Sequence, residues 1–271
     1  MGALVGGENR ALRSISLHEI NNEETCHLLQ LLENNNTIER VQIKWDLRET
    51  YHHLSEATVF QLRRTLKTNR SIKKLCLYHH PKALPVLVEV MENNCGSLEH
   101  ICLEQVTMNC SGNADFTHLL RSLRNNTPLR GMTLQYTNHR RLIPHESWKL
   151  LMEAIRYNSH LKVLNLCFSA LGDASSVNID ELGDALTHNF NLTTVKIRHN
   201  GRTQPQLDFV SRLFCRRNLI MQGTQQKEFP TTLWPKVLES LSPSPSELFL
   251  AMKYFLCHTG CSDNSQKGLV P

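Results

Sequence analysis

Residues 155–168 read IRYNSHLKVLNLCF, and the fold turns on them. Leu161, Leu164 and Leu166 set out the frame L-x-x-L-x-L, with Asn158 three residues ahead of it. In both directions along the chain the frame recurs, seven times in all, with Ile, Val or Met allowed. The first column is Leu12, Ile38, Ile72, Leu98, Leu129, Leu161 and Leu192. The second is Ile15, Val41, Leu75, Ile101, Met132, Leu164 and Val195. The third is Leu17, Ile43, Leu77, Leu103, Leu134, Leu166 and Ile197. First-column residues stand 26, 34, 26, 31, 32 and 31 apart. Three apolar columns kept in step over such a distance mark a repeat protein.

The second and third columns are two residues apart, which is strand alternation. A helical stretch follows each strand and closes on an apolar residue with Asn close behind. Examples are LLENN at 31–35, LKTN at 66–69, IRYN at 155–158 and LTHN at 186–189. Asn tolerates the left-handed conformation that ends many helices, and that is the role expected of it. Helix starts are expected at Ser55, at Asn178 with Glu181 as a capping box, and near Pro85, Pro144 and Pro205. One strand–helix unit cannot bury its apolar side alone. Stacked units share a continuous core.

The frame, the period of roughly thirty residues and the helix followed by N-x-x-L-x-x-L-x-L resemble the ribonuclease-inhibitor class of leucine-rich repeats. The resemblance covers about residues 12–220. It implies an α/β solenoid of about seven repeats, a curved horseshoe with a parallel sheet on the concave side and helices on the convex side. It also implies a protein that works by binding other proteins. The chain departs from the class three residues after the third column, where Asn is usual and only Asn200 matches. The expected organisation is a solenoid over 1–222, a helical cap over 223–260 covered by Trp234, Val237, Leu238 and Leu241, and a disordered tail over 261–271.

Composition sets the class of partner. Of 271 residues, 40% are hydrophobic and 20% charged, which describes a folded protein. The net charge of +5 and the pI near 8.7 favour an acidic partner, with no block of like charge to suggest nucleic acid. No apolar run reaches the roughly 18 residues of a membrane span, and no secretory signal is legible. Nine scattered cysteines then read as reduced thiols of a cytoplasmic protein, expected to be a monomer. Ribonuclease inhibition does not suit a positively charged chain, and no acidic tail of the GTPase-activator kind is visible. The expected function is a non-catalytic protein-binding scaffold. The alternative is a regulatory or spacing segment of a larger assembly, of adaptor, tropomodulin-like or GTPase-activator-like kind.

No phosphate loop, dinucleotide fingerprint, nucleophile elbow or zinc-protease motif occurs, so neither catalytic residues nor a cofactor are expected. Cys257 and Cys261 have metal-ligand spacing, but no second pair completes a zinc set, and no metal is expected. Cys76 and Cys102 hold equivalent places in consecutive strands and are expected to be surface thiols, close enough that a disulfide is not excluded. Strand residues flanking the columns face away from the core. Five of these are Lys or Arg: Arg40, Lys44, Lys74, Lys196 and Arg198, against one acid, Glu104. Tyr78 stands among them. One residue further on, Trp45, Tyr136 and Phe168 form a broken aromatic stripe. These rings either anchor a partner or turn inward under the loops. The candidate partner-binding set is Arg40, Lys44, Trp45, Lys74, Tyr78, Tyr136, Lys196 and Arg198.

Overall fold

A computed structural model describes residues 12–45, 54–78, 82–94, 96–106, 113–125, 128–136, 145–168, 179–199, 202–203, 205–224 and 234–241, with short pieces between 244 and 252. Seven strands follow the sequence columns: β1 Ser14–Ile20, β2 Arg40–Trp45, β3 Lys74–Tyr78, β4 His100–Val106, β5 Gly131–Tyr136, β6 Val163–Phe168 and β7 Thr194–His199. Between them lie α1 Asn22–Glu33, α2 Glu56–Thr68, α3 Ala83–Glu92, α4 Asn113–Asn125, α5 His145–Tyr157 and α6 Ile179–His188. Each strand pairs in parallel with the next, in sequence order. The expected all-parallel sheet gains one member. A two-residue strand, β8 Arg202–Thr203, pairs antiparallel with β7.

The columns set this register. Val41 pairs with Leu75, Leu75 with Ile101, Ile101 with Met132, and so on to Val195. All three columns are buried except Leu12 and Leu17, which are half-buried in the first described unit. Leucines 28, 29 and 32 of α1 and their counterparts in later helices close the core from the other side. Burying a Leu or Ile in such a layer is worth about 1.5–3 kcal/mol each.

Local chemistry sets the helix ends. Asn21 and Glu24 form a reciprocal capping box on α1, with side chain to backbone distances of 2.9 and 3.0 Å. Ser55 accepts from Thr58 N–H at the start of α2, as expected. Pro205 opens its helix, and Pro85 lies in the first turn of α3, as expected. Asn178 and Pro144 lie outside the described residues.

The asparagines at the other helix ends do something different from what the sequence suggests. Asn69 is extended, with φ −68° and ψ 133°, not left-handed. Its side chain bridges units instead. Nδ2 donates to the carbonyls of Leu32 and Asn35, and Oδ1 accepts from Ser71 and Ile72. Asn158 and Asn189 repeat this pattern three and four units on. Among the described residues only Asn94 takes the expected left-handed form, at φ 47°.

After β8 comes α7 Pro205–Thr224, which packs Phe209, Val210, Leu213 and Phe214 into the core, then α8 Trp234–Leu241. Val237 is buried, and Trp234, Leu238 and Leu241 are half-buried against the same core. Trp234 stands edge-on to Phe214, centroids 6.4 Å apart. Residues 253–271 lie outside the described residues.

Candidate functional site

Strand alternation leaves one face of the sheet without helices. On β2 and β3 it presents Arg40, Gln42 and Lys44, then Lys74, Cys76 and Tyr78, with Arg40 opposite Lys74 and Lys44 opposite Tyr78. Arg40 and Lys74 are exposed; Lys44 and Tyr78 are half-buried. The Tyr78 hydroxyl accepts from Gln42 Nε2 at 3.0 Å, which fixes the ring across two strands. On β7, Lys196 and Arg198 are exposed. Four strand spacings separate β3 from β7, about 19 Å at roughly 4.8 Å each. The face therefore has two basic poles. The stretch between them carries polar side chains such as Thr133, Gln135 and Asn165, the last donating to the Thr133 hydroxyl at 3.2 Å.

Charges on the helices are arranged otherwise. Arg63 and Lys67 both pair with Glu89, Arg64 with Glu33, Arg156 with Asp184, and Arg212 with Asp208 and Glu247. Among the described residues no salt bridge reaches Arg40, Lys44, Lys74, Lys196 or Arg198. Several helix cations thus have acidic partners, whereas these five sheet-face cations have none among the described residues.

Trp45 is not part of this face, which corrects the expectation for it. It is only 6% exposed and its indole N–H donates to the Thr25 hydroxyl at 3.1 Å. The reason is parity. Trp45 follows Val41 and Ile43 at steps of two, and a bulge at Glu19, with φ 57°, brings Ile20 rather than Glu19 opposite it. Tyr136 holds the same parity in β5, opposite Phe168 in β6. The Tyr136 and Phe168 side chains lie outside the described residues.

Near the centre of the face, Cys76 and Cys102 are directly in register. Both are free thiols, and both are buried, 7% and 8% exposed, rather than on the surface as expected. Cys102 donates to Glu104 Oε1 at 3.3 Å, and the two sulfurs and the carboxylate all lie within 4.8 Å of one another. Hydrogen bonding between the thiols, then burial, pushes Cys102 up, and the same hydrogen bond pulls Cys76 down. Burial, followed by a hydrogen bond with Glu104, pushes the Tyr78 hydroxyl up. Beside them, His100 fills space that Gly131 leaves open: a Cβ there would stand 2.1 Å from Nδ1. Burial holds this imidazole below its ordinary value, with Lys74 and Arg40 acting in the same direction and Glu99 opposing. In sequence Glu104 stands only as the one acid among the outward-facing strand positions. The signal was its place two residues after Cys102, on the same side of the strand. Cys257 and Cys261 lie outside the described residues.

No family model matches the chain, and no curated protein matches it by sequence. Among solved structures it is similar to leiomodin-1 actin-binding site 2, with a TM-score of 0.28 and 13% identity over 82% of this chain and 88% of that one. It is also similar to the tropomodulin C-terminal domain of Caenorhabditis elegans, with a TM-score of 0.34 and 13% identity over 69% and 89%. Likenesses this loose say nothing about a ligand. The chain's own strand order, register and buried columns make it a leucine-rich-repeat solenoid of seven strand units.

Proposed function

We propose that the chain is a non-catalytic scaffold that binds a partner protein on the open face of its sheet, through acidic segments of that partner. One observation carries this reading: Arg40, Lys44, Lys74, Lys196 and Arg198 share the outward parity of one sheet face and have no salt-bridge partner among the described residues. A positive face steers an acidic partner and fixes its orientation, and a rigid parallel sheet holds the charges in place before binding. Tyr78, fixed by Gln42, adds a half-buried ring at the N-terminal pole. Two poles about 19 Å apart suit two acidic patches, or one extended acidic segment crossing the strands. The proposal takes the chain to be a cytoplasmic monomer. Among the described residues no helix is long and apolar enough to cross a membrane.

The test is quantitative affinity capture with three baits. These are the parent chain, a face variant (Arg40→Glu, Lys74→Glu, Lys196→Glu and Arg198→Glu together) and a helix-side variant, Arg64→Glu. The expected result is a protein captured by the parent and by Arg64→Glu but not by the face variant. Capture of the same proteins by all three baits contradicts the proposal and leaves the spacing role in a larger assembly.

A further inference from the structure

We propose that Cys76, Cys102 and Glu104 form a binding site for a thiophilic divalent metal of the zinc kind, with a fourth coordination position open to solvent. The inference is independent of the partner-binding reading, because it concerns the isolated chain.

Register brings the ligands together. Cys76 and Cys102 occupy directly paired positions of β3 and β4, so their sulfurs leave the sheet side by side. Glu104 is two residues further along β4 and projects on the same side. The three ligand atoms already lie within 4.8 Å of one another, and Cys102 Sγ and Glu104 Oε1 are 3.3 Å apart. With Zn–S near 2.3 Å and Zn–O near 2.0–2.2 Å, ligand atoms of a tetrahedron stand roughly 3.5–3.8 Å from each other. Side-chain rotation closes the difference without moving the strands.

Ligand chemistry selects the metal. Two thiolates favour zinc and similar soft ions over magnesium or calcium, which take oxygen ligands. Three protein ligands leave one position open, as in sites that accept an exogenous ligand. His100, two residues before Cys102, does not fill it, because its ring leans over Gly131.

The surroundings suit a bound cation with three anionic ligands. Metal binding displaces one proton from each thiol to solvent, so two thiolates and one carboxylate surround a dication and the net charge is minus one. Lys74 precedes Cys76 by two residues on the same face, with Arg40 opposite it, and both offset that charge. Outer partners are also present. Tyr78 stands in register with Glu104 on the neighbouring strand, and Gln42 donates to its hydroxyl at 3.0 Å, so a fixed phenol flanks the ligating carboxylate. Both cysteines are buried, 7% and 8% exposed, which limits competition from water and oxidants.

The experiment is a cobalt(II) titration of the full chain in the presence of a phosphine reductant, which keeps disulfides from forming. The expected result is thiolate-to-cobalt charge transfer and tetrahedral d–d bands that saturate at one equivalent and disappear when zinc is added. Cys76→Ser, Cys102→Ser and Glu104→Gln should each abolish saturation at one equivalent. Cys26→Ser and Cys167→Ser should preserve it. Tyr78→Phe should weaken cobalt binding by about tenfold or more. Circular dichroism checks that each variant is folded. A second measurement needs no variant: zinc should protect two thiols of the native chain from alkylation, and mass spectrometry should map them to Cys76 and Cys102. The absence of charge transfer in the parent overturns the proposal. So do bands that persist in the Cys76→Ser/Cys102→Ser double variant, or protection that maps to other cysteines.

Discussion

The side-chain amide of Asn218 donates to the main-chain oxygen of Asn189 across 2.9 Å, and so joins α7 to the last strand–helix repeat. It also donates to Leu192 O at 2.6 Å, the equivalent of the Ile38 carbonyl that Ser71 serves in an earlier unit. By polar bonding, α7 thus behaves as one more unit of the solenoid, although no strand frame precedes it. The ladder explains why Asn sits three residues ahead of the columns. It has one acceptor for two backbone N–H groups and one amide for two carbonyls, a combination that among side chains only Asn delivers at this length.

Asn189→Ala should therefore destabilise the fold by about 2–4 kcal/mol, since several buried backbone groups lose their partners at once. Asn36→Ala, at the exposed position after Asn35 in the first unit, should stay within about 0.5 kcal/mol. Urea denaturation of both variants decides the point.

Arg217 is 3% exposed, yet charged groups do not surround it. Its guanidinium donates to the carbonyls of Leu186, Thr187 and Asn189 and lies between the rings of Phe190 and Phe214, 4.3 and 4.9 Å from their centroids. Burial pulls its pKa down to about 9, so it stays protonated at neutral pH. A cation at the negative end of α6 is favourable. Arg217→Met keeps most of the volume and removes the donors. It should cost about 2–4 kcal/mol, and Arg217→Lys should recover only part, because an ammonium cannot fork over three carbonyls. Thermal melts of the three proteins test this.

Trp45 separates stability from binding. Trp45→Ala should cost about 3–5 kcal/mol as a buried truncation. Trp45→Phe keeps the ring and loses the bond to Thr25, for about 1 kcal/mol. If the Trp45→Phe protein, equally folded, lost partner capture while Tyr78→Phe kept it, the inward assignment of Trp45 would be wrong.

Gly96 and Gly131 both look indispensable by distance but differ in what they face. At Gly96 a Cβ would stand 2.4 Å from Leu66 main-chain oxygen, and φ is +76°. Gly96→Ala should cost about 2 kcal/mol or more. At Gly131 the obstacle is the His100 ring, a side chain that can swing away. Gly131→Ala should cost less than Gly96→Ala in the same denaturation series.

The repeat made most of the fold legible before any coordinates. Column residues such as Leu134 and Leu166 are buried because a stacked sheet offers their parity nowhere else to go. The same rule carried two residues further would have placed Trp45 inside. Of the two outcomes open to that ring, the inward one holds because β2 runs on past its third column and pairs Trp45 with Ile20. The basic poles were readable, since outward parity and charge are both sequence properties. The thiol–carboxylate cluster was not, since it depends on which way Glu104 and Tyr78 turn between strands, which side-chain rotation decides. β8 carried no hydrophobic signal, being two residues long.

The central claim is that the sheet face binds its partner through charge. It is tested most directly by association kinetics with the captured partner at two salt concentrations. The parent should associate more slowly at the higher salt, because screening shortens the reach of Arg40, Lys44 and Lys74. The Arg40→Gln, Lys44→Gln and Lys74→Gln triple variant should associate more slowly at low salt and respond less to added salt, with a smaller change in dissociation. A triple variant that associates as fast as the parent at both salt concentrations would contradict the account.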